Sequence, residues 1–182
     1  MKAKIYFPII LTLAFLFYAC GENNNETKNL QSPAADTATS KKEIGSMLDS
    51  FNIAAANAEF SQYFNYYTED ATFNGTDATE NWDKKAFMIW AKPFFDKKTT
   101  WNFKSLMRNI YFGKYDDIAW FEELLSTQMK ICRGSGVVVK QGDQWKVQQY
   151  VLSTTIPNDQ LDTIIKIKTA IEDSIMATLP GK

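Results

Sequence analysis

The chain has 182 residues, 45% of them hydrophobic and 14% aromatic, with a formal net charge of −1. That length and composition suit one packed domain with accessory segments and exclude a disordered chain, and the charge balance gives no electrostatic reason to expect nucleic acid. Histidine is absent, which removes the commonest general base near neutral pH and the commonest metal ligand, so any catalysis falls to carboxylates, tyrosine or the Cys132 thiol.

Residues 1–20 read MKAKIYFPIILTLAFLFYAC. Lys2 and Lys4 make a short basic start. The apolar run Phe7 to Phe17 has the length of a signal-peptide core and falls short of the ~20 residues a bilayer-spanning helix needs. Phe17-Tyr18-Ala19-Cys20 resembles the lipobox of bacterial lipoproteins, with a large apolar residue three before the cysteine and a small one just before it. That resemblance implies cleavage after residue 19, fatty acylation of Cys20 (palmitate, for instance) and a domain anchored to a membrane in the cell envelope. The competing reading is an ordinary signal peptide with an incidental cysteine. At ~0.8 kcal/mol per buried methylene, a multi-chain anchor is effectively permanent. Cleavage takes Lys2 and Lys4 from the 20 basic residues, leaving 18 against 21 acidic ones, a net of −3. Lipidation of Cys20 also leaves Cys132 without an intrachain partner, so a disulfide framework is excluded.

Residues 21–42, GENNNETKNLQSPAADTATSKK, hold one leucine and no aromatic. Such a stretch buries too little apolar surface to offset its ordering entropy and is expected to be a flexible tether. The folded domain is expected over 43–157. Its first part, 43–69, is read as helical. Ile44, Met47, Leu48, Phe51 and Ala55 recur at helical spacing, and Phe60, Tyr63, Phe64 and Tyr67 repeat the pattern in a second segment. Ala71-Thr72-Phe73 reads as a short extended piece, ended by a turn at Asn74-Gly75. Asp83 is placed to cap a third helix, Lys84 to Asp96, which Pro93 should kink or end early.

From Trp101 to Thr155 the period changes to two. One strand begins at Trp101-Phe103-Ser105-Met107 and a second runs from Ile118 to Leu125, with Tyr115-Asp116-Asp117 turning between them. Ile131 to Lys140 and Trp145 to Thr155 are joined by Gly142-Asp143, a two-residue hairpin signal. Helices followed by long antiparallel strands make an α+β layout. The last segment, 158–182, opens at Pro157-Asn158-Asp159 and reads as an amphipathic helix. Its stripe of Leu161, Ile164, Ile165, Ile171, Ile175 and Leu179 needs a docking surface.

The wording DATFNGTDATENW at 70–82, AWFEELL at 119–125, CRGSGVVVKQGDQWKV at 132–147 and STTIPND at 153–159 resembles SnoaL-like proteins of the nuclear transport factor 2 (NTF2) superfamily. The resemblance covers roughly residues 46–159. It implies a cone-shaped α+β fold, with N-terminal helices packed on a curved antiparallel sheet, plus the C-terminal helix. That superfamily includes isomerases, cyclases, dehydratases and proteins without chemistry, so the fold alone leaves the function open.

The Gly142-Asp143 hairpin predicts a register in which Val138 faces Val147, Gly136 faces Gln149 and Gly134 faces Val151. One face then carries Cys132, Gly134, Gly136, Val138, Trp145, Val147, Gln149 and Val151, and this face meets the helices. Gly134 and Gly136 opposite Gln149 leave space for a cavity with Gln149 as its polar handle; alternatively the glycines serve a bulge or bend. By resemblance, Glu80 and Trp82 are site candidates. A carboxylate above an apolar pocket can act as acid or base; the alternative is that Glu80 pairs with Arg108 or Arg133. Asp70 is the other catalytic candidate, or else a backbone cap. Trp90, Trp101, Trp120 and Trp145 are read as core. Glu122 and Glu123, adjacent on a strand, should point to opposite faces. Cys132 reads as a small buried hydrophobe, and Arg133 is expected on the face away from the glycines.

Three functions are weighed. The leading one is a membrane-tethered module binding a small apolar or amphipathic ligand through Trp82, Gly134, Gly136 and Gln149. The second is a proton-transfer enzyme (isomerase, cyclase or dehydratase) using Glu80 or Asp70. The third is a protein-interaction part of the envelope, using the open sheet face or the last helix. The residues favour a binder over an enzyme. No cofactor and no metal is expected, and the expected partners are a membrane through Cys20, a small molecule and a second copy of the chain.

Overall fold

The computed structural model describes residues 36–179. The expected signal peptide, Cys20 and the first part of the expected tether lie outside the described residues. Helix α1 (Asp36–Ala56) begins seven residues earlier than periodicity suggested, so residues 36–42 are helical rather than tether. Ser40 is buried within that first stretch. An Ala, Thr, Ser and Lys composition without aromatics can still extend a helix whose later turns are anchored by buried Ile44, Leu48 and Phe51.

The expected helical stretch 43–69 is broken in two places. Ala58 takes φ 56°, and Ala58 and Glu59 donate to the carbonyls of Ala55 and Ala54. This is a Schellman-type end, built here without the usual glycine. Helix α2 (Phe60–Asn65) follows, and strand β1 (Tyr67–Asn74) starts four residues before the expected Ala71. The short strand β2 (Asn81–Asp83) lies where a loop was expected, antiparallel to β1. Helix α3 (Lys84–Asp96) is capped as expected, with Asp83 Oδ1 accepting from the Ala86 amide at 2.7 Å. It runs on through Pro93 instead of ending early. Its own Schellman end has Lys98 at φ 54°, with Lys98 and Thr99 donating to Phe95 and Phe94.

Strands β3 (Lys104–Phe112), β4 (Ile118–Thr127), β5 (Lys130–Gln141) and β6 (Gln144–Thr154) complete one six-stranded sheet in the order β2-β1-β6-β5-β4-β3. All neighbours are antiparallel except β1 and β6, which run parallel. The α+β layout is thus as the sequence implied: helices α1–α3 against a curved sheet. The Gly142-Asp143 hairpin also forms, with Gln141 opposite Gln144 and Gly142 at φ 62°.

Beyond Val138–Val147 the register departs from expectation. A bulge at Gln148 leaves Val137 opposite Gln149, Gly136 opposite Tyr150 and Gly134 opposite Leu152. One inserted residue reverses every side chain after it. Tyr150 and Leu152 therefore point inward, while Gln149 is exposed.

The core sits between the helices and this face of the sheet, and it is dominated by rings. Phe51 stacks on Tyr63 at 4.5 Å, Phe64 meets Phe87 edge-on at 5.3 Å, and Phe73 stacks on Phe87 at 4.1 Å. Fully burying each such side chain contributes about 1.5–3 kcal/mol. Of the four tryptophans read as core, only Trp145 is fully buried, and its indole N–H donates to Glu43 on α1. Trp101 is half-buried, whereas Trp90 and Trp120 are exposed. A short 3-10 turn (Asn158–Gln160) leads into α4 (Leu161–Thr178), none of whose residues is buried.

Candidate functional site

Alternation along β4 turns Glu122 outward and Glu123 inward, as expected of neighbours on a strand. Glu122 meets Arg133 at 3.4 Å on the outer face. The Glu123 side chain is completely buried. It accepts from Arg108 Nε at 2.9 Å and from the Tyr150 hydroxyl at 3.1 Å. Arg108 Nη2 lies 2.8 Å from the same carboxylate. Its Nη1 reaches back to α1, donating to the Gly45 carbonyl and meeting Asp49, both at 2.9 Å. Register makes this possible, because Arg108 and Glu123 are direct partners across β3 and β4.

Beside this group, the Tyr63 and Tyr67 hydroxyls lie 3.1 Å apart. Burial pushes both phenols above their usual range. Burial does the same to Tyr150, and the Glu123 charge adds to it. All three therefore stay protonated at neutral pH; Tyr150 donates to Glu123, and one of the Tyr63 and Tyr67 hydroxyls donates to the other. The interior holds a buried polar network inside a ring-filled core.

Open space lies at one end of that core, in a cavity of about 170 Å³. Its floor is Phe73, Phe87 and Leu152, all buried. Its sides are Trp90, Trp101 and Phe103. Its lip is the 75–80 loop (Gly75, Thr76 and Glu80) together with Gln128 and Met129 from the β4–β5 turn. That turn is held by Thr127, whose hydroxyl accepts from the Met129 amide and donates to the Lys130 carbonyl. Among the described residues, Glu80 is the one charged residue lining the space. Its Oε2 accepts from the Asp77 amide at 3.2 Å, and a Cβ placed on Gly75 would fall 2.0 Å from that oxygen. The loop thus folds the Glu80 side chain over a position that only glycine leaves open.

Sequence-chosen residues fall in different places. Glu80 lines the cavity. It is not paired with an arginine, because Arg108 is held by Glu123 and Asp49 and Arg133 by Glu122. Trp82 lies just behind the wall, stacked on Trp90 at 4.8 Å and on Phe87 at 5.7 Å. Asp70 is exposed on β1, away from the cavity lining. Its carboxyl is held below the usual range, first by the Thr68 hydroxyl at 2.7 Å.

Gly134 and Gly136 do not frame empty space. The Tyr150 hydroxyl fills the room beside Gly134, and the Phe121 ring and Gln149 carbonyl fill that beside Gly136. Gln149 itself points outward because of the bulge at Gln148. Cys132 is buried as a small hydrophobe. Among the described residues, no group of acidic or cysteine side chains is placed to hold a metal.

The sequence offers Phe103 only as a strand residue, Trp90 and Trp101 only as core, and gives no sign that Gln128 and Met129 line a site. The usable signal was surplus. Phe87, Trp90, Phe94 and Phe95 all lie on α3, and the structure leaves Trp90 and Phe94 exposed beside the buried Phe87 and Phe95.

A family profile described as a SnoaL-like domain matches residues 44–157. No curated protein matches the chain. Among solved structures, an NTF2-like protein of unknown function from Pseudomonas putida KT2440 is 15% identical, with a TM-score of 0.56 over 68% of this chain and 92% of that one. A candidate scytalone dehydratase from Novosphingobium aromaticivorans is 13% identical, with a TM-score of 0.56 over 68% and 89%. A candidate dehydratase of the NTF2-like family from Streptomyces avermitilis is 11% identical, with a TM-score of 0.57 over 66% and 99%. At such identities the likeness concerns the fold.

Proposed function

This chain belongs to the SnoaL-like domain family, and from that premise we propose that it is a binding module for a small apolar or amphipathic ligand, tethered to a membrane by acyl chains on Cys20. The observation that carries the binding half is the 170 Å³ cavity with its aromatic sides and a Trp90 left 38% exposed at its wall. A dry cavity of ~150 Å³ accommodates benzene, so the space suits one ring and a short substituent. A wall of rings with one polar lip is the usual composition of a ligand site. Binding is favoured over proton transfer because the two carboxylates suggested as catalysts do not meet. Asp70 is on the outside, and Glu123, the one fully buried carboxylate among the described residues, is already committed to Arg108 and Tyr150.

The test is a titration with benzyl alcohol, followed by NMR. The expected result is a saturable shift of the Trp90 and Trp101 indole N–H signals. Thr76→Trp changes an exposed lip residue and should plug the mouth, weakening binding at least ~tenfold with little change in melting temperature. No saturable shift would remove the binding reading.

The tether rests on the apolar run and the Ala19-Cys20 junction. In cells fed a radioactive fatty acid, the wild-type chain should be labelled and partition into detergent. Cys20→Ala should lose the label. An unlabelled wild type would overturn the anchor.

A further inference from the structure

The rings at this cavity share one orientation. Phe73 and Phe87 are within 7° of parallel, and Trp101 and Trp90 lie within 21° and 24° of Phe87. A flat ring laid parallel to them continues an existing stack, which is the favoured offset arrangement of aromatic pairs. A bulky aliphatic body gains no such contact.

Charge at the lip is one-sided. Asp77 and Glu80 both sit on the 75–80 loop. Asp77 is satisfied by the Thr79 amide at 2.9 Å and its hydroxyl at 2.6 Å, which hold its carboxyl below the usual range. Glu80 takes only the Asp77 amide. Among the described residues neither has a cation partner. The nearby Lys84 is spent on Glu69 at 2.8 Å. An uncompensated carboxylate beside π-faces suits a cation on both counts, by direct pairing and by attraction to the ring quadrupole.

We propose that the cavity selects a small arylalkylamine, its flat ring parallel to Phe73 and Phe87 and the ammonium group on its alkyl carbon set against the Glu80 carboxylate. This rests on the ligand-binding reading above and adds the ligand's shape and charge.

Three probes that share one phenyl ring separate the charge preference from binding itself: benzylammonium, benzyl alcohol and benzoate, each titrated into the protein at low salt. Benzylammonium is expected to bind about tenfold more tightly than benzyl alcohol, and benzoate more weakly than either. The ammonium preference should shrink as salt is added. Glu80→Gln should reduce that preference to about twofold. Gly75→Ala needs the space Glu80 Oε2 occupies and should do the same by displacing the carboxylate. Equal binding of all three probes, tighter benzoate, or a preference that survives both variants would overturn the amine assignment while leaving the binding module intact. Failure of all three probes to bind would overturn both.

Discussion

Arg108→Met is expected to cost about 3–5 kcal/mol of folding stability, the largest single-residue loss short of a backbone clash. The size follows from what stays behind. Glu123 is wholly enclosed, and its carboxylate keeps only the Tyr150 hydroxyl at 3.1 Å once the guanidinium is gone. An ionised group left desolvated without its counter-charge in that position is costly. Two further links break with it, to the Gly45 carbonyl and to Asp49, which fasten α1 to the sheet. The double variant Arg108→Met/Glu123→Leu should recover much of the loss, because replacing a whole buried pair by apolar groups is often neutral. Urea denaturation measures both. A single variant losing less than ~1 kcal/mol, or a double variant worse than the single, would show that the pair is not the strut described here.

That pair also shows what periodicity can and cannot deliver. The opposite facing of Glu122 and Glu123 follows from strand geometry alone, and it holds. So do the cap at Asp83 and the Gly142-Asp143 turn, because each rests on a residue type whose local chemistry settles the conformation. Where the chain departs from such signals the reading fails. Ala58 and Lys98 adopt left-handed backbone without being glycine, so nothing announced the end of α1 at Ala56. The bulge at Gln148 has no compositional mark either, yet it decides which side chains of β6 enter the core. An unmarked one-residue insertion sent Gln149 outward, brought Tyr150 in, and moved the expected cavity from the middle of β5 to the end of the cone. The aromatic wall was visible as residues but not as a wall. Only the fold brings Phe73, Trp90, Trp101 and Phe103 from three stretches of chain around one space.

The displaced cavity leads to the sharpest expectation about β5. If Gly136 bordered empty space, a larger side chain there would be accommodated. The structure requires the reverse. A Cβ on Gly136 would lie 2.1 Å from the Gln149 carbonyl oxygen, with Phe121 ring atoms at 2.9 and 3.0 Å. Carbonyl and ring cannot both retreat, because Phe121 is 2% exposed in packed core and Gln149 belongs to the strand paired with β5. Ordinary overpacking costs about 1–3 kcal/mol. A collision with paired backbone should reach or exceed the top of that range for Gly136→Ala, and Gly136→Leu should fail to fold. Gly134→Ala is expected to be different in kind. There the crowding atom is the Tyr150 hydroxyl at 2.5 Å, the movable end of a side chain. Tyr150 would swing off Glu123 and forfeit a hydrogen bond to a charged group, about 1.5–3 kcal/mol. Neither change should alter binding of benzyl alcohol by any variant that still folds, since neither glycine lines the cavity. Thermal melts of the two alanine variants, with Tyr150→Phe added to the Gly134→Ala variant, decide the matter. Tyr150→Phe removes the atom that crowds Gly134, so its cost and that of Gly134→Ala should fall well short of additive. Full additivity at Gly134, or a Gly136→Ala variant as stable as the wild type, would mean that the space beside β5 is open after all.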